Sequence, residues 1–144
     1  GGDISSSVKI ERALFISPVV DMEKLICDMM LWSNVSEDDL RTRGEIPTNF
    51  GEALSWKYLC YVREHPIRWN VCGCNGNSDS HDAVRFVPTD ILCGSMDNLT
   101  SFDVIRDFAT WSGASLTVME SGEHWFHTDE QMKFLDCWVE RCVR

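Results

Sequence analysis

Apolar residues along this chain come either in short continuous runs or in longer stretches with helical spacing. Residues 12–20, Arg-Ala-Leu-Phe-Ile-Ser-Pro-Val-Val, form a short run closed by Ser17-Pro18, which predicts a first strand buried on both faces. Met22, Leu25, Ile26 and Met29 then recur at helical spacing behind Asp21, so a helix over 22–32 capped by Asp21 is expected. From Trp32 to Gly51 the chain is polar and broken by Gly44 and Pro47, with a short helix over 36–41 in which Ser36 stands three residues before Asp39. A further helix is expected over 52–64, ending before Pro66. The stretch from Asn70 to Val87 has no periodicity and reads as a loop. Residues 89–93 form a second apolar run ended by Gly94, and Phe102, Ile105, Phe108 and Ala109 give a helix over 101–111. Leu116 and Val118 mark a third strand over 115–120. The last helix starts at Thr128, which with Gln131 has capping-box spacing, and is expected to bury Met132, Leu135, Val139 and Cys142.

Strands separated by helices pair in parallel, because parallel neighbours need long crossover connections. The fold class is therefore α/β, with about three parallel strands and crossover helices. In such sheets ligands lie beyond the carboxyl ends of the strands. The loops after Pro18, Gly94 and Glu120 are accordingly where chemistry is expected.

Composition narrows the function. A chain of 144 residues with 44% apolar residues builds one ordinary core, so residues 1–144 are read as a single domain. A net charge of −10 with scattered basic residues argues against a nucleic-acid partner, which needs clustered Lys and Arg. No apolar run reaches membrane-spanning length and no signal-peptide pattern stands at the start, so a cytoplasmic protein with no membrane partner is expected. Seven cysteines at irregular positions read as reduced, small core residues. Gly1 to Ser7 looks like a cut made inside a larger fold.

Two of the loops carry titratable groups. The first reads Gly94-Ser-Met-Asp97-Asn-Leu-Thr100, the second Ser121-Gly-Glu-His124-Trp-Phe-His127. A histidine beside a carboxylate keeps one tautomer and is stabilised when it takes a proton from a nucleophile. Loops leaving adjacent parallel strands, about 4.8 Å apart, can make that contact. Asp97 and His124 are thus the candidate acid and base, and His127 is read as structural. Cys72, Cys74 and His81 fall short of a four-ligand zinc set, so no metal or cofactor is expected.

The segment Pro88-Thr-Asp-Ile-Leu-Cys-Gly-Ser-Met-Asp97 followed by Gly122-Glu-His124 resembles the acid and histidine segments of the α/β-hydrolase superfamily, in its esterase, lipase and serine-aminopeptidase-like branch. Residues 12–21 resemble the family strand before the cap, residues 32–69 a small helical cap, and residues 70–87 a loop insertion. The resemblance implies a serine-type hydrolase of carboxylic esters or small amides, with Trp32, Trp56 and Trp125 as candidate substrate-binding residues. Gly-x-Ser-x-Gly, which presents the family's serine, does not occur. Ser17, Ser95 and Ser121 stand near strand ends without the flanking glycines, and Cys93 lies within a strand. Three readings follow. In the first, the chain supplies acid and base to a small-molecule ester substrate while the nucleophile comes from a missing N-terminal half or from another copy in a homo-oligomer. In the second, it is a truncated, non-catalytic hydrolase fragment that binds small apolar ligands or oligomerises. In the third, it is a minimal hydrolase with a relocated serine.

Overall fold

A computed structural model describes residues 9–66 and 87–144. The expected loop insertion therefore lies, but for Val87, outside the described residues, as do Trp69, Cys72, Cys74 and His81. The elements in chain order are β1 (Ala13–Ile16), α1 (Met22–Trp32), α2 (Glu37–Arg43), β2 (Glu45–Pro47), β3 (Ala53–Ser55), α3 (Trp56–Glu64), β4 (Thr89–Gly94), α4 (Phe102–Ser112), β5 (Ser115–Met119) and α5 (Asp129–Val143).

The fold is α/β, as expected. Strands β1, β4 and β5 form a sheet in that order, and both pairings are parallel: Ala13 faces Thr89 in one, and Asp90 faces Ser115 in the other. Successive side chains of a strand point to opposite faces. Ile91 and Cys93 of β4 pack with Ile105 and Ala109 of α4, while Leu92 packs with Met119 and with Trp138 of α5. One helix thus covers each face, and β4 is the strand buried on both. That property was expected of residues 12–20. It fails there because, among the described residues, β1 has a strand partner on one side only, and Phe15 is 43% and Ile16 45% exposed. Arg12 anchors the entry to β1 by donating to Asp90 Oδ2 at 3.1 Å and to the Cys142 carbonyl at 2.7 Å, a cation at the C-terminal end of α5.

A second core, whose buried members are all aliphatic, joins the remaining elements. Ile26 and Met30 of α1, Leu40 of α2, Ile46 of β2, Leu54 of β3 and Leu59 of α3 pack together. The first turns follow the expected signals: the Asp21 side chain accepts from the Lys24 N–H, and Ser36 and Asp39 form a reciprocal capping box. The helix expected from residue 52 begins instead at Trp56, because Ala53–Ser55 pairs antiparallel with Glu45–Pro47. Strands of three residues are too short to display an alternation, and Ser55 ends the ribbon by capping α3. Arg63 of α3 donates to Glu23 of α1 at 2.8 Å and to both carboxylate oxygens of Glu37 of α2, clasping the three helices.

Two further expectations need correction. The buried stripe of α5 runs through Gln131 and Trp138, flanked by Phe134, Leu135, Val139 and Cys142, while Met132 is 42% exposed. The stripe is centred on the indole, whose Nε1–H donates to Thr117 Oγ1 at 3.2 Å, so the ring is buried with its polar edge satisfied. The cysteines are not uniformly core residues: Cys93 is buried, but Cys27 and Cys137 are exposed, and none of the five described cysteines is in a disulfide. Among the described residues no helix is long and apolar enough to cross a membrane.

Trp138→Ala should cost about 3 to 5 kcal/mol of folding stability by urea denaturation, because it empties the centre of the α5 face. Trp138→Phe, which keeps much of the apolar volume and loses the N–H, should cost distinctly less. Equal losses would mean that the hydrogen bond to Thr117, rather than packing, is what Trp138 contributes.

Candidate active site

The two loops meet because two backbones touch. A Cβ built on Gly94, at the end of β4, would lie 2.1 Å from the Gly122 carbonyl oxygen, and one built on Gly122 would lie 3.0 Å from Gly94 Cα. No side chain fits between them. The contact is stitched by hydrogen bonds: Ser95 N–H donates to the Met119 carbonyl at 2.9 Å and Met96 N–H to the Gly122 carbonyl at 2.8 Å. Ser121, in the left-handed region at φ 58°, donates its N–H to Ser95 Oγ at 2.8 Å, and Ser95 Oγ in turn donates to Glu120 Oε1.

This geometry brings Asp97 and His124 together. Asp97 Oδ1 accepts from the backbone N–H groups of Leu99 at 2.9 Å and Thr100 at 3.2 Å, which fixes the carboxylate on its own turn. Oδ2 lies 2.8 Å from His124 Nδ1, and the Asp97 side chain is only 2% exposed. With the carboxylate accepting, Nδ1 of the neutral ring carries the proton and Nε2 presents its lone pair. Nε2 has no hydrogen-bond partner among the described residues. Trp125 stands edge-on to the imidazole, ring centroids 4.9 Å apart.

The exit of the histidine loop is held by Gln131, a residue that sequence reasoning assigned only to a cap. Thr128 Oγ1 accepts from the Gln131 N–H at 3.2 Å as expected, but the return bond differs: Gln131 Oε1 accepts from the His127 N–H at 3.1 Å, so the box is not reciprocal. Gln131 is buried, and its amide reaches Glu123 Oε2 at 3.5 Å, spanning both sides of His124. His127 is exposed and its Nδ1 lies 2.7 Å from the Trp125 carbonyl.

A cleft of about 490 Å³ is bordered by the sequence neighbours of the pair, Asn98 and Leu99 of the acid loop and Trp125, while Asp97 and His124 themselves do not line it. Trp32 and Phe50 line it with Leu25 and Met29, and Glu52 stands at its wall. Two of the three expected substrate-binding residues, Trp32 and Trp125, therefore share one cleft. Trp56 does not line it and packs against the aliphatic core instead. Phe50, Glu52, Asn98 and Leu99 were missed. Asn98 and Leu99 were signalled only by following Asp97 in sequence, and Phe50 and Glu52, 18 and 20 residues after Trp32, by nothing local.

The candidate nucleophiles divide clearly. Burial, and then the charge of Asp97, push the Cys93 thiol up to about 11, so at neutral pH it holds no thiolate. The Ser95 hydroxyl is engaged in the loop contact, accepting from the Ser121 backbone N–H and donating to Glu120 Oε1, and Ser121 enters that contact through its backbone alone. Ser17 ends β1 at φ 44°, with its Oγ buried and without a hydrogen-bond partner among the described residues. No group of three or more metal-ligating side chains occurs among the described residues.

No family model and no curated protein matches this sequence. Solved structures do. Alpha/beta hydrolase domain-containing protein 10 from mouse superposes over 94% of the chain with a TM-score of 0.61 at 12% identity. Est1E from Butyrivibrio proteoclasticus, solved with ferulic acid bound, superposes over 94% with a TM-score of 0.59 at 14% identity. This chain has a partial α/β-hydrolase fold. It spans about half the length of those structures, 52% and 51% respectively. Within that fold the Asp97 and His124 loops leave the adjacent parallel strands β4 and β5 at the same end of the sheet.

Gly94→Ala should destabilise the chain by about 1 to 3 kcal/mol or more in chemical denaturation, since its Cβ meets backbone that cannot yield, and should remove the low-field Nδ1–H proton resonance of His124. Gly51→Ala, at φ 92° with open space around its Cβ, is the control for backbone strain alone and should leave that resonance in place. Retention of the resonance in Gly94→Ala would separate the glycine contact from the placing of His124.

Proposed function

We propose that this chain supplies the base and acid of a serine-type hydrolase acting on carboxylic esters, with small amides as the lesser alternative. The observation that carries the reading is the His124 Nδ1 to Asp97 Oδ2 contact of 2.8 Å, made by a buried, doubly anchored carboxylate beside a cleft. His124 Nε2 would take the proton of an attacking hydroxyl and return it to the leaving alcohol. Asp97 would hold the tautomer and stabilise the imidazolium formed between the two steps. The layer of α1, α2, α3 and the β2–β3 ribbon would act as a cap over the substrate. Est1E, whose structure holds ferulic acid, is a structural neighbour with an aromatic carboxylic acid as ligand, which agrees with an aromatic-lined cleft here.

The nucleophile is proposed to be a serine on a strand beside β1, in the same protein or in another chain. The edge of β1 that no other described strand covers and the exposed Phe15 and Ile16 support this placement. A second reading makes Ser17 the nucleophile. Its left-handed φ and unpartnered Oγ favour it, since strained residues persist at functional sites. Its 7% exposure counts against it.

Purified chain alone is expected to leave p-nitrophenyl butyrate unhydrolysed and to take no fluorophosphonate label. Labelling lost in Ser17→Ala would move the nucleophile to Ser17. In a preparation that includes the companion serine, His124→Ala should lower kcat by about a thousandfold or more, and Asp97→Asn by a comparable factor. Hydrolysis untouched by His124→Ala would sink the reading and leave a non-catalytic fragment that binds apolar ligands.

A further inference from the structure

We propose that the cleft beside His124 binds an organic cation, namely an alkylated ammonium group. The aromatic residues at this cleft are not there to fill a core. The core they border is aliphatic, built from Ile26, Met30, Leu40, Ile46, Leu54 and Leu59. Trp32, Phe50 and Trp125 stay 50%, 46% and 71% exposed, and all three line the same cleft. Large rings left open around one concavity mark a surface shaped for something else.

The arrangement selects for charge. The rings of Trp32 and Phe50 stand 6.2 Å apart at 80°, so their planes form two walls of a corner, and Trp125 supplies a third ring. Ring faces carry partial negative charge and attract cations, most strongly for Trp. Glu52 adds a full negative charge at the wall of the same cleft, and its carboxylate has no ion-pair partner among the described residues. Among the described residues no Lys or Arg lines the cleft to cancel it. An alkylated ammonium is weakly hydrated for a cation, so it gives up water to enter a partly apolar corner more readily than a lysine-like ammonium does. The net charge of −10 favours its approach.

The cation site stands on this geometry alone. That it holds one end of a substrate rests on the hydrolase reading: Asn98, Leu99 and Trp125 of the cleft are sequence neighbours of Asp97 and His124, so a small molecule long enough to reach out of the cleft past them would bring its ester to the imidazole. The substrate class so defined is an ester whose acyl or alcohol part carries an alkylated amine.

The test is titration of the full chain with choline and with its uncharged carbon isostere dimethylbutanol, followed by intrinsic tryptophan fluorescence. Choline is expected to bind saturably and about threefold to fivefold more tightly than the isostere, the ratio that cation–π contacts and a half-exposed ion pair supply. Glu52→Gln should remove most of that preference by weakening choline and leaving dimethylbutanol unchanged. Trp32→Leu, at a half-exposed position the fold does not need, should weaken choline further, with helix content checked by circular dichroism. Equal affinity for the two ligands, or choline binding indifferent to Glu52→Gln, would overturn the proposal. Binding is read without turnover, so a chain that binds choline but fails every hydrolysis assay keeps the cation site and loses the hydrolase reading. Hydrolysis of neutral esters with no choline preference does the reverse.

Discussion

The contact between Gly94 and Gly122 is the constraint on which the site depends. Parallel pairing of β4 with β5 brings the two strand ends together, but only backbone without side chains lets the loops beyond them close to hydrogen-bond distance. Once Met96 N–H bonds to the Gly122 carbonyl, the chain from Gly94 must turn within three residues, and that turn is completed by Asp97 bonding the N–H groups ahead of it. The carboxylate is therefore oriented before any histidine is considered. His124 follows two residues after Gly122 and meets the oxygen left over.

What holds the pair in place is distributed between two cores that differ in kind. Around β4 the packing is two-sided: α4 covers Ile91 and Cys93, and α5 covers Leu92 through Trp138. These residues fix the sheet and hence the two loops. The aliphatic core of α1, α2, α3 and the ribbon instead fixes the opposite wall of the cleft, with Arg63 tying the three helices at their exposed side. The cleft lies where the two cores meet, since its lining takes Leu25, Met29 and Trp32 from one body and Asn98, Leu99 and Trp125 from the other. A shift of either body changes its width, whereas the Asp97 to His124 contact lies within the sheet body alone.

Much of this was legible in the sequence because local signals and global topology agree. Asp21, Ser36 and Thr128 announced helix starts, short apolar runs announced strands, and the order of strand and helix implied the parallel sheet that the structure has. What escaped was set by tertiary position. Residues 13–16 are apolar enough for a central strand, and only topology makes β1 an edge. Met132 and Trp138 are equally plausible on a helical wheel, and it is the sheet beneath α5, with Thr117 placed to accept the indole N–H, that selects Trp138. The β2–β3 ribbon was hidden by its three-residue strands. Trp56 looked like Trp32 in sequence, yet one packs on the aliphatic core and the other opens into the cleft, a difference that spacing along the chain cannot express.

The edge of β1, unpaired among the described residues, bears on how the chemistry would be completed. Edge strands that persist in natural proteins are short, charged or covered. β1 is short but not charged: Ala-Leu-Phe-Ile leaves two large apolar side chains exposed, and a concavity of about 210 Å³ bounded by Phe15, Pro18, Val19, Val20 and Phe108 lies beside it. Such an edge fits a neighbour that both hydrogen-bonds to the strand and buries its apolar side chains. In a parallel sheet that neighbour would end beside Ser17, on the same side of the sheet as the Asp97 and His124 loops. Between that hydroxyl and β5 lie the ends of β1 and β4, three strand spacings or about 14 Å in all, a gap that the histidine loop would have to span by folding back over the sheet end. The proposed division of the triad thus follows from strand order: acid and base sit on β4 and β5, and β1 stands between them and the strand that would carry the nucleophile.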